Sequence, residues 1–164
     1  MTLKRCFPPV VDARTRVLIL GSLPGEASLA QSQYYAYKHN QFWRLAGEVI
    51  GQDLPGMDYD ARLQALRAHR LGLWDVVAEA KREGSLDSKI RDHAGNDLAA
   101  LIAALPELVA IAFNGGTAAR IGLRALGAHG GGHHILTLPS SSPAHTLSYA
   151  EKLRVWQELR PWLE

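Results

Sequence analysis

The sequence predicts a single α/β domain, residues 1–164, in which a four-stranded parallel sheet lies between two layers of helices, an α/β/α sandwich. Three observations lead there. Short apolar runs recur along the chain, segments of helical periodicity separate them, and no linker or internal repeat divides the 164 residues. Strands that alternate with helices join through right-handed crossovers into parallel sheets. Runs that are apolar throughout belong to strands covered on both faces.

Each element follows from a local pattern. Arg16-Val-Leu-Ile-Leu20 is an apolar run ending at Gly21 and reads as a buried strand. Phe42, Leu45, Ala46 and Val49 repeat at helical spacing, and Gly51 stops that helix at Ile50. Asp60 to His69 reads as a second helix and Leu71 to Val77 as a second strand. The polar stretch from Glu79 to Asn96 reads as a loop. Asn96 or Asp97 caps a helix through Leu105, which Pro106 closes. Leu108 to Phe113 is the third strand, followed by Asn114-Gly-Gly and a helix to Leu126. Gly130-Gly-Gly is a flexible connection, and His134 to Leu138 is the fourth strand. Pro139 to Thr146 is a loop, and Ser148 to Leu163 is a terminal helix that frays at Pro161.

Composition narrows the classes. The chain is 47% hydrophobic and 21% charged, ordinary for a globular domain and unlike disorder, collagen or coiled coil. A chain of this length buries roughly 70% of its unfolded surface and needs no disulfide or metal staple. One cysteine, Cys6, excludes an internal disulfide framework, a four-cysteine iron–sulfur cluster and a cysteine-rich zinc site. It fits a reducing compartment. Met1 to Pro9 has no apolar run after its basic pair, so it is not a signal peptide, and no stretch is apolar enough to span a membrane. The expected protein is cytoplasmic and monomeric, with no membrane association.

The net charge of +2 hides an uneven distribution. Eleven of the 16 acidic residues lie between Glu48 and Glu107. Ala27 to Gly47 is acid-free and carries Lys38, His39 and Arg44. The stretch between Glu107 and Glu151 is also acid-free and carries Arg120, Arg124, His129, His133, His134 and His145. Brought together, the two would form a positive surface suited to a phosphate-bearing partner. Chance in Gly- and Ala-rich sequence accounts for them equally well.

In open α/β sheets, ligands bind beyond the carboxyl ends of the strands. Here those ends run into Gly21-Ser22-Leu23-Pro24-Gly25, Asp75, Asn114-Gly115-Gly116 and Pro139-Ser140-Ser141-Ser142-Pro143. Small and hydrogen-bonding residues therefore collect at one edge. The chain has no G-x-x-x-x-G-K-[ST] phosphate loop, no G-x-G-x-x-G dinucleotide turn and no G-x-S-x-G nucleophile elbow. Ser140 or Ser142 with His145 leaves a small-molecule serine hydrolase open, although a Ser-rich turn more often caps backbone. His133 and His134 would point to opposite sides of an extended chain, which disfavours a metal site. No metal and no cofactor are expected.

The most distinctive segment is Gln33-Tyr-Tyr-Ala-Tyr-Lys-His-Asn-Gln-Phe-Trp43, five aromatics and an Asn in eleven residues. Asn40-Gln-Phe-Trp43 resembles the N-R-F-W run of mismatch-specific uracil glycosylases. Gly21-Ser-Leu-Pro-Gly25 is similar to the first motif of the uracil-DNA glycosylase superfamily, G-I-N-P-G. Leu138-Pro-Ser-Ser-Ser-Pro-Ala144 stands where the second motif, H-P-S or N-P-S, falls. With Leu73-Trp-Asp-Val76, Gly84-Ser-Leu-Asp-Ser88 and Phe113-Asn-Gly115, the order and spacing resemble most the hypoxanthine-DNA glycosylase branch. The motifs span Gly21 to Ala144. The resemblance implies the sandwich fold deduced above and hydrolysis of the N-glycosidic bond of a deaminated base, hypoxanthine or uracil, in DNA, for base-excision repair. Two departures stand out: Leu23 occupies the place of the first motif's catalytic Asn or Asp, and Leu138 that of the second motif's His.

The resemblance implies that Asn40 takes the catalytic role. It also gives Tyr35 the stacking position over a flipped base, with Tyr34 as the alternate. Backbone N–H groups of Gly21, Ser22, Leu23 and Pro24's loop would bind the leaving base or a phosphate. Asp75 would accept from an N–H of the base, or else cap a helix or loop. Asn114 is a turn residue or a substrate contact. Ser140, Ser141, Ser142, Pro143 and His145 form the loop expected against DNA. Lys38 would bind phosphate rather than form a Schiff base, making the enzyme monofunctional. Phe42 and Trp43, opening an amphipathic helix, are expected in the core. A nucleic-acid-binding module of the same fold without catalysis is the other reading.

Overall fold

The computed structural model describes residues 3–82, 90–127 and 132–164. Seven strands and six α-helices are assigned there: β1 (Leu3–Arg5), β2 (Val17–Gly21), α1 (Glu26–Gln31), α2 (Phe42–Ile50), α3 (Tyr59–Ala68), β3 (Leu71–Asp75), β4 (Val77–Arg82), β5 (Ile90–Gly95), α4 (Leu98–Ala103), β6 (Ala110–Asn114), α5 (Gly116–Leu126), β7 (His134–Leu138) and α6 (Tyr149–Trp156). The motif Gly84–Ser88, His129 and the first two glycines of Gly130-Gly-Gly lie outside the described residues.

The expected parallel sheet is present in the order β3-β2-β6-β7. Its layers follow from alternation. Val17 and Ile19 of β2, with Ala110 and Ala112 of β6, face a cluster built by α2, α3 and α6, including Phe42, Leu45, Val49, Leu66 and Trp156. Leu18 and Leu20, with Ile111 and Phe113, face a second cluster that holds Leu98 and Ile102 of α4 and Ala118, Ile121 and Leu126 of α5. Both faces of β2 and β6 are buried, which explains their unbroken apolar runs.

Register places the site. Gly21 pairs with Asp75, and Asn114 pairs with Leu138, so the four strands end together at one edge. Loops leaving those ends must converge. The helices are set by caps: Asp58 accepts from Ala61 N, Asp97 from Ala100 N and Ser148 from Glu151 N.

Several expectations are corrected. Glu79 to Asn96 is not a loop: within it, β4 and β5 pair antiparallel, and β1 adds to β4 to make a second, three-stranded sheet. The β4–β5 register shifts twice, between Val77 and Glu79 and between Glu79 and Lys81, so no regular alternation marks it. The second parallel strand ends at Asp75 instead of Val77, because the chain bends at Val76 and Val77 passes into the other sheet, where it pairs with Gly95. Helix α1 is an addition. The terminal helix is α-helical only to Trp156 and continues as a 3-10 helix, Gln157–Leu163, containing Pro161. Among the described residues, no helix is long and apolar enough to cross a membrane.

Candidate active site

At the carboxyl edge of the parallel sheet lies a cavity of about 730 Å³. That is the size of a small-ligand site, roughly 300–1,000 Å³. Its wall is drawn from all four predicted loops: Gly21 to Gly25, Asp75, Asn114 to Thr117, and Ser140 to His145. Glu26 to Ser28, Tyr34, Tyr35, Tyr37 and Asn40 complete it. The two acid-free segments therefore do meet in space. Of their basic side chains only His145 is in the wall, which also contains Glu26 and Asp75, so the cavity itself is no cationic pocket. Lys38 is exposed and outside the wall.

Asn40 sits just before α2. Its backbone N–H donates to Tyr37 O at 2.9 Å, and its side-chain Oδ1 accepts from Phe42 N at 2.9 Å. The second bond fixes which way the amide points: oxygen toward the helix start, with one lone pair left, and nitrogen turned aside as a donor. Phe42 and Trp43 are buried, as their helical spacing predicts.

Tyr35 and Tyr34 diverge. Tyr35 adopts φ +53°, in the left-handed region, and its ring stacks on Phe42 with centroids 4.0 Å apart and planes 11° from parallel. One ring face is thus covered by the core. Tyr34 is 3% exposed; its hydroxyl donates to Pro8 O at 2.9 Å, and its carbonyl accepts from Trp43 Nε1 at 3.0 Å. Burial, reinforced by the Asp75 charge, raises the Tyr34 phenol far above its ordinary pKa. Tyr34 touches the cavity but its polar end is tied to the N-terminal segment.

Asp75 is buried at the end of β3. Its main-chain carbonyl accepts from Asn96 Nδ2 at 2.7 Å. A methyl group at Gly21 would meet both Asp75 Oδ1, at 2.7 Å, and the Tyr35 hydroxyl, at 2.6 Å, so these two groups close over the glycine's backbone. Ser22 and Leu23 are buried in turn, and Leu23, in the place of the superfamily's catalytic Asn or Asp, packs into the apolar cluster beneath α5.

Asn114 is a clamp. Its Oδ1 accepts from Ser141 N at 2.9 Å, and its Nδ2 donates to Ser141 Oγ at 2.9 Å and to the Tyr35 hydroxyl at 3.1 Å. Both amide protons are engaged by the protein. Ser141 is 1% exposed, so its hydroxyl serves the fold and is withdrawn from the surface. Ser140 Oγ accepts from Ser142 N, and Ser142 Oγ accepts from Ala144 N, turning the loop back on itself. Gly115 takes φ +100°, and a Cβ there would meet the Ser140 side chain at 3.1 Å. Among the described residues, no hydrogen bond links His145's imidazole to Ser140 or Ser142, so the serine-hydrolase arrangement is not assembled.

Sequence reasoning missed Lys152. It lies on α6, is 1% exposed, and donates to Gln41 Oε1 at 3.0 Å and Ser142 O at 3.1 Å. Burial lowers its ammonium pKa. A lysine in an amphipathic terminal helix carries no sequence signal for such a position.

A sequence profile described as the Uracil DNA glycosylase superfamily matches residues 8–164. A protein named Hypoxanthine DNA glycosylase from Methanosarcina barkeri (strain Fusaro / DSM 804) is 42% identical over 157 residues, covering 94% of this chain and 96% of that one. One of the same name from Methanosarcina acetivorans is 43% identical over 157 residues, with the same coverage. The solution NMR structure of a uracil DNA glycosylase-like protein from Methanosarcina acetivorans superposes with a TM-score of 0.87 at 41% identity, covering 99% of both chains. Motifs, sheet order and these matches agree, and the chain belongs to the uracil DNA glycosylase superfamily.

Proposed function

We propose that the protein is a monofunctional DNA glycosylase that hydrolyses the N-glycosidic bond of a deaminated base, hypoxanthine first and uracil second. The observation that carries this reading is the convergence of Asn40, Tyr35 and Asp75 on one cavity at the carboxyl edge of the sheet. The names of the two Methanosarcina relatives support the choice of base.

In the reaction a water oxygen bonds to the anomeric carbon, the glycosidic C–N bond breaks, and the base leaves with its electron pair. The water's proton passes to solvent or to the departing base. Asn40 does not take that proton, since an amide is not basic at neutral pH. Its remaining Oδ1 lone pair orients the water, and Nδ2 donates toward the substrate. The extruded base stacks on the ring face of Tyr35 opposite Phe42. Asp75 accepts a hydrogen bond from the base and places negative potential near the oxocarbenium-like sugar. Ser140, Ser142, Pro143 and His145 meet the DNA backbone, with Lys38 outside the cavity as a further phosphate contact.

The protein should release base from duplex or single-stranded DNA containing deoxyinosine or deoxyuridine, leaving sites that break only after alkali. Asn40→Ala should lower the single-turnover rate by about 100-fold or more. The same change removes the bond to Phe42 N and should cost about 1 kcal/mol of stability. An Asn40→Ala protein of full activity would refute the assignment. Salt-sensitive DNA binding without base release from either substrate would favour the non-catalytic module instead.

A further inference from the structure

Helix α6 belongs to none of the motifs, yet one of its faces holds the start of α2, next to Asn40, and the loop that carries Ser142 into the cavity wall. Tyr149 lies under the Arg44 guanidinium of α2, 3.7 Å from ring centroid to Cζ. One turn further, Lys152 Nζ donates to Gln41 Oε1 at 3.0 Å and to Ser142 O at 3.1 Å. One turn beyond that, Trp156 Nε1 donates to Pro139 O at 2.9 Å. Gln41 is also held from the other side, its backbone N–H donating to Ser141 O at 3.0 Å. The residue beside Asn40 and the loop expected against DNA are therefore tied to each other and to a single ammonium group.

That ammonium is expensive. It is 1% exposed, and among the described residues no carboxylate pairs with it. Methionine has nearly the same length and would fill the space without desolvating a charge. What lysine supplies and methionine lacks is a pair of directed hydrogen bonds, one to Ser142 in the cavity wall and one to Gln41, the neighbour of the wall residue Asn40.

We infer that Lys152 is a positioning residue for base excision, holding Asn40, through Gln41, at a fixed distance from the Ser140–His145 loop. The inference rests on the glycosylase reading above. Displacement of a reacting group by about 1 Å costs on the order of 100-fold in rate. Removal of the clamp should therefore slow chemistry without removing the fold or the DNA affinity.

The test is Lys152→Met in the full chain, with Gln41→Met as a second variant that removes the same bond from its acceptor end and keeps the Gln41 N–H to Ser141. Single-turnover excision on deoxyinosine and deoxyuridine oligonucleotides, DNA affinity and thermal midpoint are measured beside the wild type. The expected result for each variant is a rate 10- to 100-fold lower (about the scale of a misplaced group). DNA affinity should stay within about twofold and the Lys152→Met midpoint should be unchanged or higher. The double variant should be no slower than Lys152→Met alone, because that change already breaks the bond to Gln41 along with the one to Ser142. Wild-type rates in both variants would overturn the inference alone. So would a rate loss matched by a falling midpoint in both, which marks a structural role, or a loss of affinity at an unchanged saturated rate, which marks a DNA contact. If Lys152→Met does not fold, Gln41→Met decides. A wild-type protein inactive on both substrates would overturn the glycosylase reading and this inference with it.

Discussion

Gly21 leaves no room for a side chain at the point where the strand meets the site. A methyl group there would press on the Tyr35 hydroxyl and on Asp75 Oδ1, both anchored within the wall. Gly21→Ala should cost roughly 1–3 kcal/mol in denaturant unfolding. On the proposed roles of Tyr35 and Asp75, excision should fall at least tenfold, since the ring and the carboxylate move together. Normal excision by this variant would argue against Tyr35 and Asp75 as base contacts. At this scale the sequence reveals which residues reach the cavity where a motif marks them and conceals them where a distant partner holds them. Asn40 stands out in its aromatic run. Asn114 reads as a turn residue, because nothing in Phe-Asn-Gly announces that three hydrogen bonds reach Ser141 and Tyr35, far along the chain. Tyr34 and Tyr35 are adjacent and chemically alike, and both line the cavity; Tyr35 differs in its positive φ, and Tyr34 in a hydroxyl tied to Pro8 O.

Helix α5 shows the same dependence on neighbours at the scale of an element. Gly122 lies in its interior, where alanine is normally favoured by about 1 kcal/mol. Here a Cβ would overlap Phe113 Cε1 and stand 3.0 Å from Val76 Cγ1. Overpacking of that kind costs about 1–3 kcal/mol and outweighs the propensity. Gly122→Ala should therefore destabilise the protein in urea unfolding, and a stabilised variant would contradict this packing of α5 on β6. The central strands and α2 were readable because their burial leaves continuous or periodic apolar patterns. The antiparallel sheet was not. Val77-Ala-Glu-Ala-Lys-Arg82 and Ile90-Arg-Asp-His-Ala-Gly95 are short and polar, and two register shifts break their alternation, so loop was the natural reading. Helix α1 was missed for a related reason: it has six residues, and its N-cap, Gly25, offers no side chain to accept a backbone N–H.

For the molecule as a whole, burial of neutral acids sets the alkaline limit of stability. Burial raises the pKa of Tyr34, Tyr59 and Tyr149 above the ordinary 10.0 and that of Cys6 above 9.0. Above those values the unfolded chain loses protons that the folded one keeps, so stability falls as pH rises. Lys152, lowered from 10.5, acts in the opposite sense, its penalty easing toward that value, but it is one group against four. Unfolding free energy should be lower at pH 11 than at pH 8, with phenolate absorbance from the buried tyrosines appearing as the protein unfolds; equal stability at the two values would be inconsistent with these burials. The placement of β2 has a consequence for synthesis. This strand is the hub of the parallel sheet, pairing with β3 on one side and β6 on the other, and its partner Ala110 lies more than 90 residues downstream of Val17. A chain emerging from the ribosome can dock β2 against β3 early. It must then carry one edge of its most apolar strand uncovered until β6 appears, which is the interval in which chaperones or misassociation compete for it.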